Sequence, residues 1–328
     1  MNNKFSKAVI KRLISSLITL FLLISLLFIL IRISPGNPAQ KFISPELSPE
    51  IAQKVAEDFK LNDPLPEQYL SFVANLIKGD LGISYNYRMP VTSVVWEFLS
   101  FTLVIAAISF LVQIIVSYYL AVYTIQKQNK NTDNLISNLS LIFYSTPAFV
   151  IGVLLIYLLA VQVDLFPTSG FTSLDYDSLN YFEKLLDKIH HLILPLITLS
   201  IAGIALFYRY LRDNLEDIYH QTFIVQLRAN GLNENTILRK HVIPNAIGPF
   251  ISVAGIELGI LLGGTLITEV IFSLPGMGRL TIDSILTRDY PLIIGCTFAA
   301  GLLMILTNFI ADLLKLKIDK RLLRGNVI

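Results

Sequence analysis

Few residues of this 328-residue chain have the type or spacing for chemistry, and those that do point to mechanical rather than covalent work. The most informative stretch is Leu227-Arg228-Ala229-Asn230-Gly231-Leu232-Asn233, with His241 and Asn245 just after it. It is polar, basic and broken by a glycine, and it lies between two long apolar runs. Gly231 interrupts a helical pattern where a left-handed residue is needed. Ile218, Phe223, Ile224 and Leu227 give the segment an apolar side; Asn233 can cap a second short helix through Lys240, and Pro244 closes it. The expected product is a helix–glycine–helix elbow. Such an elbow can seat its apolar face in a groove of another protein and transmit rotation as a rigid lever. It can equally lie on lipid, drawn there by Arg228, Arg239 and Lys240. Physical chemistry alone leaves the two readings even.

A second set of residues sits inside an apolar run. Gly255, Gly259 and Gly263 recur every fourth residue, a spacing that lets helix backbones approach closely, within this chain or against a partner. Glu257 lies among them. A carboxylate at mid-membrane costs about 2.5–3.5 kcal/mol on insertion scales, so it must face water or protein. It either lines a polar pathway or bonds to a neighbouring helix. Asp312 is four residues after Asn308, where a bond along one helix face is expected. Pro147 inside one run, and Pro195 and Pro249 near the ends of others, permit kinks.

Covalent and metal chemistry find no support. No Gly-x-x-x-x-Gly-Lys-[Ser/Thr] phosphate loop, Gly-x-Ser-x-Gly elbow or His-Glu-x-x-His pair occurs. His190, His191, His220 and His241 have no metal-ligand spacing, and the lone Cys296 sits in an apolar run. The expectation is therefore no catalytic residue, no metal and no cofactor. A net charge of +2 gives no reason to invoke nucleic acid.

The elements that position these residues follow from composition. The chain is 54% hydrophobic and 15% charged, too apolar for an ordinary soluble protein. Six runs approach the roughly 20 residues that a spanning helix needs: 13–31, 98–125, 135–163, 191–208, 246–268 and 291–311. Lys4, Lys7, Lys11 and Arg12 precede the first, as in a signal peptide, but the run is long and no small-x-small cleavage site follows, so it reads as a retained helix. Lysine and arginine favour one set of loops: Lys127 and Lys130; Arg209, Arg212, Arg228, Arg239 and Lys240; and Lys315, Lys317, Lys320, Arg321 and Arg324. The positive-inside rule then puts both termini in the cytoplasm. Between the first two spans, Ser48-Pro49-Glu50 starts one helix, with Ile51, Ala52, Val55, Ala56 and Phe59 on a face. Pro66 starts another, with Tyr69, Leu70, Val73, Leu76 and Ile77 on a face and Gly79 as its stop. A second outer loop is expected over 164–188.

Several motifs resemble those of the dipeptide/oligopeptide (and nickel) permease subunits of ABC importers. Ser34-Pro35-Gly36-Asn37-Pro38-Ala39 is similar to that family's Pro-Gly-Asp-Pro segment. Leu61-Asn62-Asp63-Pro64-Leu65-Pro66-Glu67-Gln68-Tyr69 and Gly79-Asp80-Leu81-Gly82 resemble its outer-loop signature. Gly231 and Leu232 resemble its docking-loop glycine, His241 with Asn245-Ala246 the segment after it, and Pro275-Gly276-Met277-Gly278-Arg279-Leu280 with Arg288-Asp289-Tyr290-Pro291 the turn before its last helix. One departure stands out: Val225, Gln226 and Leu227 occupy places where the family usually has small residues.

The resemblance implies an all-α polytopic membrane protein with six transmembrane helices, of the type I ABC importer permease fold, with a helical outer loop between the first two. The expected divisions are 1–32 (N-terminus and first span), 33–97 (extracytoplasmic helical cap), 98–314 (core permease, docking loop 213–245) and 315–328 (basic tail). It further implies a bacterial cytoplasmic-membrane location within the lipid bilayer, a second homologous permease, two cytoplasmic ATP-binding subunits and an extracytoplasmic solute-binding protein. Peptides are the expected cargo, with nickel or a metal chelate as the alternative. An ion-coupled carrier or channel would show inverted repeats or several intramembrane charges, and only Glu257 stands out.

Overall fold

Long apolar runs can satisfy their backbone groups inside a bilayer only as helices, and helices are what the chain forms. The computed structural model describes residues 2–33, 63–127 and 130–318. In chain order the helices are α1 (Asn2–Ile33), α2 (Leu65–Ile77), α3 (Val91–Lys127), α4 (Lys130–Ser145) and α5 (Ala148–Leu155), which continues as a π-helix over Ile156–Gln162. Then come α6 (Tyr181–Tyr219), α7 (Thr222–Ala229) and α8 (Glu234–Ile237), a π-turn over Leu238–Val242, α9 (Ile243–Ile271), α10 (Met277–Leu286) and α11 (Tyr290–Ile318). Among the described residues the sole extended pairing is an antiparallel bridge between Ile83 and Pro90. The expected helix over 48–59 and the 34–39 motif lie outside the described residues, as does most of the basic tail.

Among the described residues five helices are long and apolar enough to cross a membrane, and a sixth crossing is made if α4 and α5 count as one. The kink that Pro147 permits is present in that pair, and it is sharp. The run 135–163 looks continuous in hydropathy, yet the chain bends by 102° between Ser145 and Ala148. Pro147 is the cause: it has no N–H to give the preceding turn and disfavours helical backbone at Thr146. Pro195 and Pro249, by contrast, sit inside α6 and α9, not near their ends. The fourth run is also longer than expected. Asn180 caps α6, its Oδ1 accepting from the backbone N–H of Phe182 and Glu183 at 3.0 Å, while Glu183 accepts from Asn180 N at 3.0 Å. That capping box starts the helix inside what the sequence suggested was loop.

The chain divides into two compact units. One is built on Phe101–Arg279 and the stretch from Leu303. In it α6 packs on α4, α5 and α9. Phe207, Tyr208, Leu211 and Leu215 of α6 are fully buried with Ile224, Ile237, Leu238 and Val242. Arg212 grips Asp133 of α4 with two hydrogen bonds, at 3.1 and 2.6 Å.

The other unit is built on Lys11–Ser100 and Leu280–Leu302. Phe28 of α1 stacks on Phe72 of α2 at 4.9 Å between centroids, and Ser25 shares a 2.7 Å hydrogen bond with Tyr69. Helix α2 begins at Leu65, with Pro66 in its first turn, and stops before Gly79 (φ +79°), close to expectation, but its covered face is shifted: Phe72 packs while Leu70 and Ile77 stay exposed. Asp289, fully buried, accepts from Ser84 Oγ at 2.6 Å, Asn86 N at 3.0 Å and Leu292 N at 3.3 Å. One carboxylate thereby caps α11 and fastens the loop that follows α2.

Candidate coupling elbow and buried carboxylate

The elbow forms, and its hydrogen bonds explain why. Helix α7 ends at Asn230 in a Schellman motif: Gly231 N donates to Arg228 O at 2.9 Å and Leu232 N to Leu227 O at 3.2 Å. Gly231 holds φ at +78°, where a side chain is strained, and an added Cβ would meet nothing within 4 Å. Asn233 then caps α8, its Oδ1 accepting from Thr236 N at 2.7 Å. Arg228 spans the turn: its Nε and Nη2 donate to the two oxygens of Glu234 at 2.6 and 3.2 Å, and its guanidinium lies over the Tyr219 ring. The Glu234 carboxylate raises the Arg228 pKa above its ordinary value, so the charge is permanent.

Two features differ from expectation. The apolar side of the elbow is covered from within: Ile224 is fully buried, and Phe223, Leu227 and Leu232 pack on the core formed by α6 and the start of α9. It is therefore spoken for, and what the elbow presents is polar or small: Arg228, Asn230 and Asn233 with Ala229 and Gly231, and Val225 as an exposed apolar point. Nor does Pro244 close a helix. It stands in the first turn of α9, where a missing N–H costs nothing, and helical backbone is unbroken from Glu234 through the π-turn to Ile271. His241 is half-buried in that π-turn, and its carbonyl accepts from Asn245 Nδ2 at 2.6 Å. Asn245 thus supplies a donor where the wider turn disturbs the backbone ladder.

The intramembrane residues fall on α9. Gly255 borders a groove of about 570 Å³ with Phe110, Tyr118, Phe250 and Thr307. Gly259 faces α11, where an added Cβ would lie 3.6 Å from Asn308 and 3.7 Å from Thr307, ordinary contact distances. Glu257 is half-buried, and none of the described residues gives it a hydrogen bond or an ion pair. Gly263 lies on the same helix, and the side chain of Asp312 lies outside the described set.

Sequence reasoning missed the most constrained group. Glu269, near the end of α9, is fully buried. It accepts from Thr102 Oγ1 at 2.7 Å, Gly278 N at 2.6 Å and Arg279 N at 3.2 Å, with a further bond from Thr265. Met277 N in turn donates to Thr102 Oγ1 at 2.8 Å. The carboxylate therefore satisfies the free N–H groups at the start of α10. Close packing follows: an added Cβ on Gly276 would lie 2.2 Å from Glu269 Cδ, and one on Gly278 2.3 Å from the Leu266 backbone. The available signal was an acid at the end of an apolar run, seven and nine residues before a pair of glycines.

The arrangement gathers no nucleophile with a base, and the described residues hold no cluster of three or more His, Cys, Asp or Glu able to bind a metal ion. What it offers is an exposed, rigidly capped turn continuous with a long membrane helix.

Comparison with known proteins agrees with that character. The family described as "Binding-protein-dependent transport system inner membrane component" matches residues 113–324, and its N-terminal counterpart matches residues 5–106. The oligopeptide transport system permease protein AppB of Bacillus subtilis is 33% identical over 96% of this chain and 98% of its own length. The nickel import system permease protein NikB of Staphylococcus aureus is 33% identical over 98% of this chain and 93% of its own. A solved amino acid ABC transporter has the same fold over 69% of this chain and 94% of its own, with a TM-score of 0.52 at 18% identity. With both family profiles covering nearly all of its length, the chain belongs to the binding-protein-dependent transport system inner membrane components, the permeases of ABC importers.

Proposed function

We propose that the elbow at Gly231 is the seat through which separate ATP-binding subunits drive this permease. The observation that carries the reading is the division of the elbow's surface: its apolar side is fixed to the permease's own core, and its polar rim is exposed on a turn held by a Schellman motif and an Arg228–Glu234 clamp. A rim displaced by a partner would move α9 with it, because helical backbone runs without a break from Glu234 to Ile271. Leu227, Arg228, Ala229, Asn230, Gly231, Leu232 and Asn233 form the turn, and His241 and Asn245 stiffen its junction with α9.

In this reading two cytoplasmic ATP-binding subunits face the elbows of two homologous permeases, and an extracytoplasmic solute-binding protein delivers the cargo. Both termini are cytoplasmic, the segment 33–97 is an outer cap, and the core occupies 98–314. The absence of a phosphate loop from the sequence supports an ATP site on another polypeptide. Glu257 lines the pathway, supported by its lack of any protein partner among the described residues. Peptides are the proposed cargo, after the name of the Bacillus relative. Nickel is the second reading, because the Staphylococcus nickel permease is also 33% identical, over 98% of this chain.

The test is Gly231→Pro in the assembled transporter in proteoliposomes. Proline cannot hold a φ of +78° and deletes the N–H that binds Arg228 O. Uptake is expected to fall while ATP hydrolysis continues, and a cysteine at Val225 is expected to cross-link to an ATP-binding subunit. Full coupled uptake by Gly231→Pro would overturn the proposal. For Glu257→Ala, unchanged uptake at normal abundance would remove the pathway role.

A further inference from the structure

A cavity of about 370 Å³ opens beside the end of α1 remote from the N-terminus. Its cation is Arg32, in the last turn of a helix whose stretch Leu13–Ile33 is long and apolar enough to cross a membrane. Arg32 is half-buried, with its guanidinium 5.3 Å from the centroid of the Phe28 ring. Its electrostatic neighbours among the described residues are Tyr85 and Tyr290, and no described carboxylate pairs with it. Phe72 and Asn75 are also among its walls. Burial, with the Asp289 charge second, pushes the Tyr85 phenol well above its ordinary pKa, so that wall is neutral and does not repel an anion. Asp80 stands on the rim, its Oδ1 held by Gly82 N at 2.9 Å. On the face of α1 turned away from the cavity, Leu26, Ile29 and Leu30 are exposed and apolar.

We infer that this cavity binds the phosphodiester of a membrane glycerophospholipid, with Arg32 as the counter-charge. Three observations converge. A half-buried cation at the end of a membrane span needs an anion. The layer where a span ends is where lipid phosphates lie. A guanidinium grips a phosphate through a fork of donors, here stiffened by an aromatic ring beneath it. The helix that carries Arg32 exposes apolar side chains along its length, so lipid surrounds it and a lipid headgroup is the anion at hand rather than a free ion. The inference rests on the chain spanning a membrane, not on which cargo it moves or how it couples to ATP.

The experiment is native mass spectrometry of the intact transporter released from nanodiscs that contain dioleoyl-phosphatidylglycerol and a phosphate-free diglucosyl-diacylglycerol. Wild type is expected to retain phosphatidylglycerol, and Arg32→Gln about tenfold less, the loss of one charge-assisted contact. Arg32→Lys is expected to recover part of it, and the glycolipid signal to be unchanged in all three. Equal retention by Arg32→Gln would overturn the inference. Displacement of the lipid by millimolar inorganic phosphate would assign the cavity to a free anion instead. A photoactivatable phosphatidylglycerol on wild type is expected to label α1 and α2; labelling there no stronger than on other exposed membrane helices would sink the proposal without any variant.

Discussion

The helical run from Glu234 to Ile271 is preceded by a turn at Gly231 that lies in the open and followed by a turn at Ser273 that closes against a carboxylate sealed from solvent. Both turns use one backbone device. At the second, Ser273 N donates to Val270 O at 3.2 Å and Leu274 N to Glu269 O at 2.8 Å, the same pair of bonds that ends α7. Their surroundings are opposite. A Cβ on Gly231 meets nothing, while Cβ atoms on Gly276 and Gly278 collide with Glu269 and Leu266. One end lies open and the other is packed shut.

If that contrast is right, the largest effect belongs to Glu269→Ala. It orphans the Thr102 hydroxyl and the N–H groups of Gly278 and Arg279 in a buried site, at about 1–3 kcal/mol for each unsatisfied group before relaxation. The expected result is loss of most folded protein in detergent, read by fluorescence-detected size exclusion. A variant as stable as wild type would erase the distinction between the ends.

The sharper comparison is one substitution at two glycines. Gly278→Ala must move the Leu266 backbone and should cost about 2–3 kcal/mol or more. Gly231→Ala faces only left-handed strain, about 1 kcal/mol. Thermal unfolding of the two should rank them in that order. Next comes the Arg228–Glu234 clamp, an exposed pair whose coupling in a double-mutant cycle should be about 0.5–1 kcal/mol and shrink with salt. The smallest effect is a gain. Ser273 holds φ at +53°, so Ser273→Gly should relieve about 0.5 kcal/mol net of the added chain entropy.

How much of this the sequence disclosed depends on what each signal reports. Gly231 and Asn233 act through their own backbone or immediate neighbours, so their spacing was enough to place the elbow. The apolar stripe of Ile224 and Leu227 announced burial but not by what, and the core of the same chain took it. Pro244 was misread because proline is equally at home after a helix and in the first turn of one. Glu269 went unseen because its partners come from Thr102 and from α10, and a local pattern cannot show a bond made 167 residues away. Pro147 marked where its run could kink, but not by how much: hydropathy measures solvent preference and is blind to direction.

That bend decides an arithmetic. The two segments that meet there, Asn131–Ser145 and Ala148–Gln162, each reach about 22 Å along their axes, short of a hydrocarbon layer of about 30 Å. Neither traverses it unaided; only jointly can they carry the chain across. An even tally of crossings, and hence a shared compartment for the first and last residues, hangs on a joint two residues long.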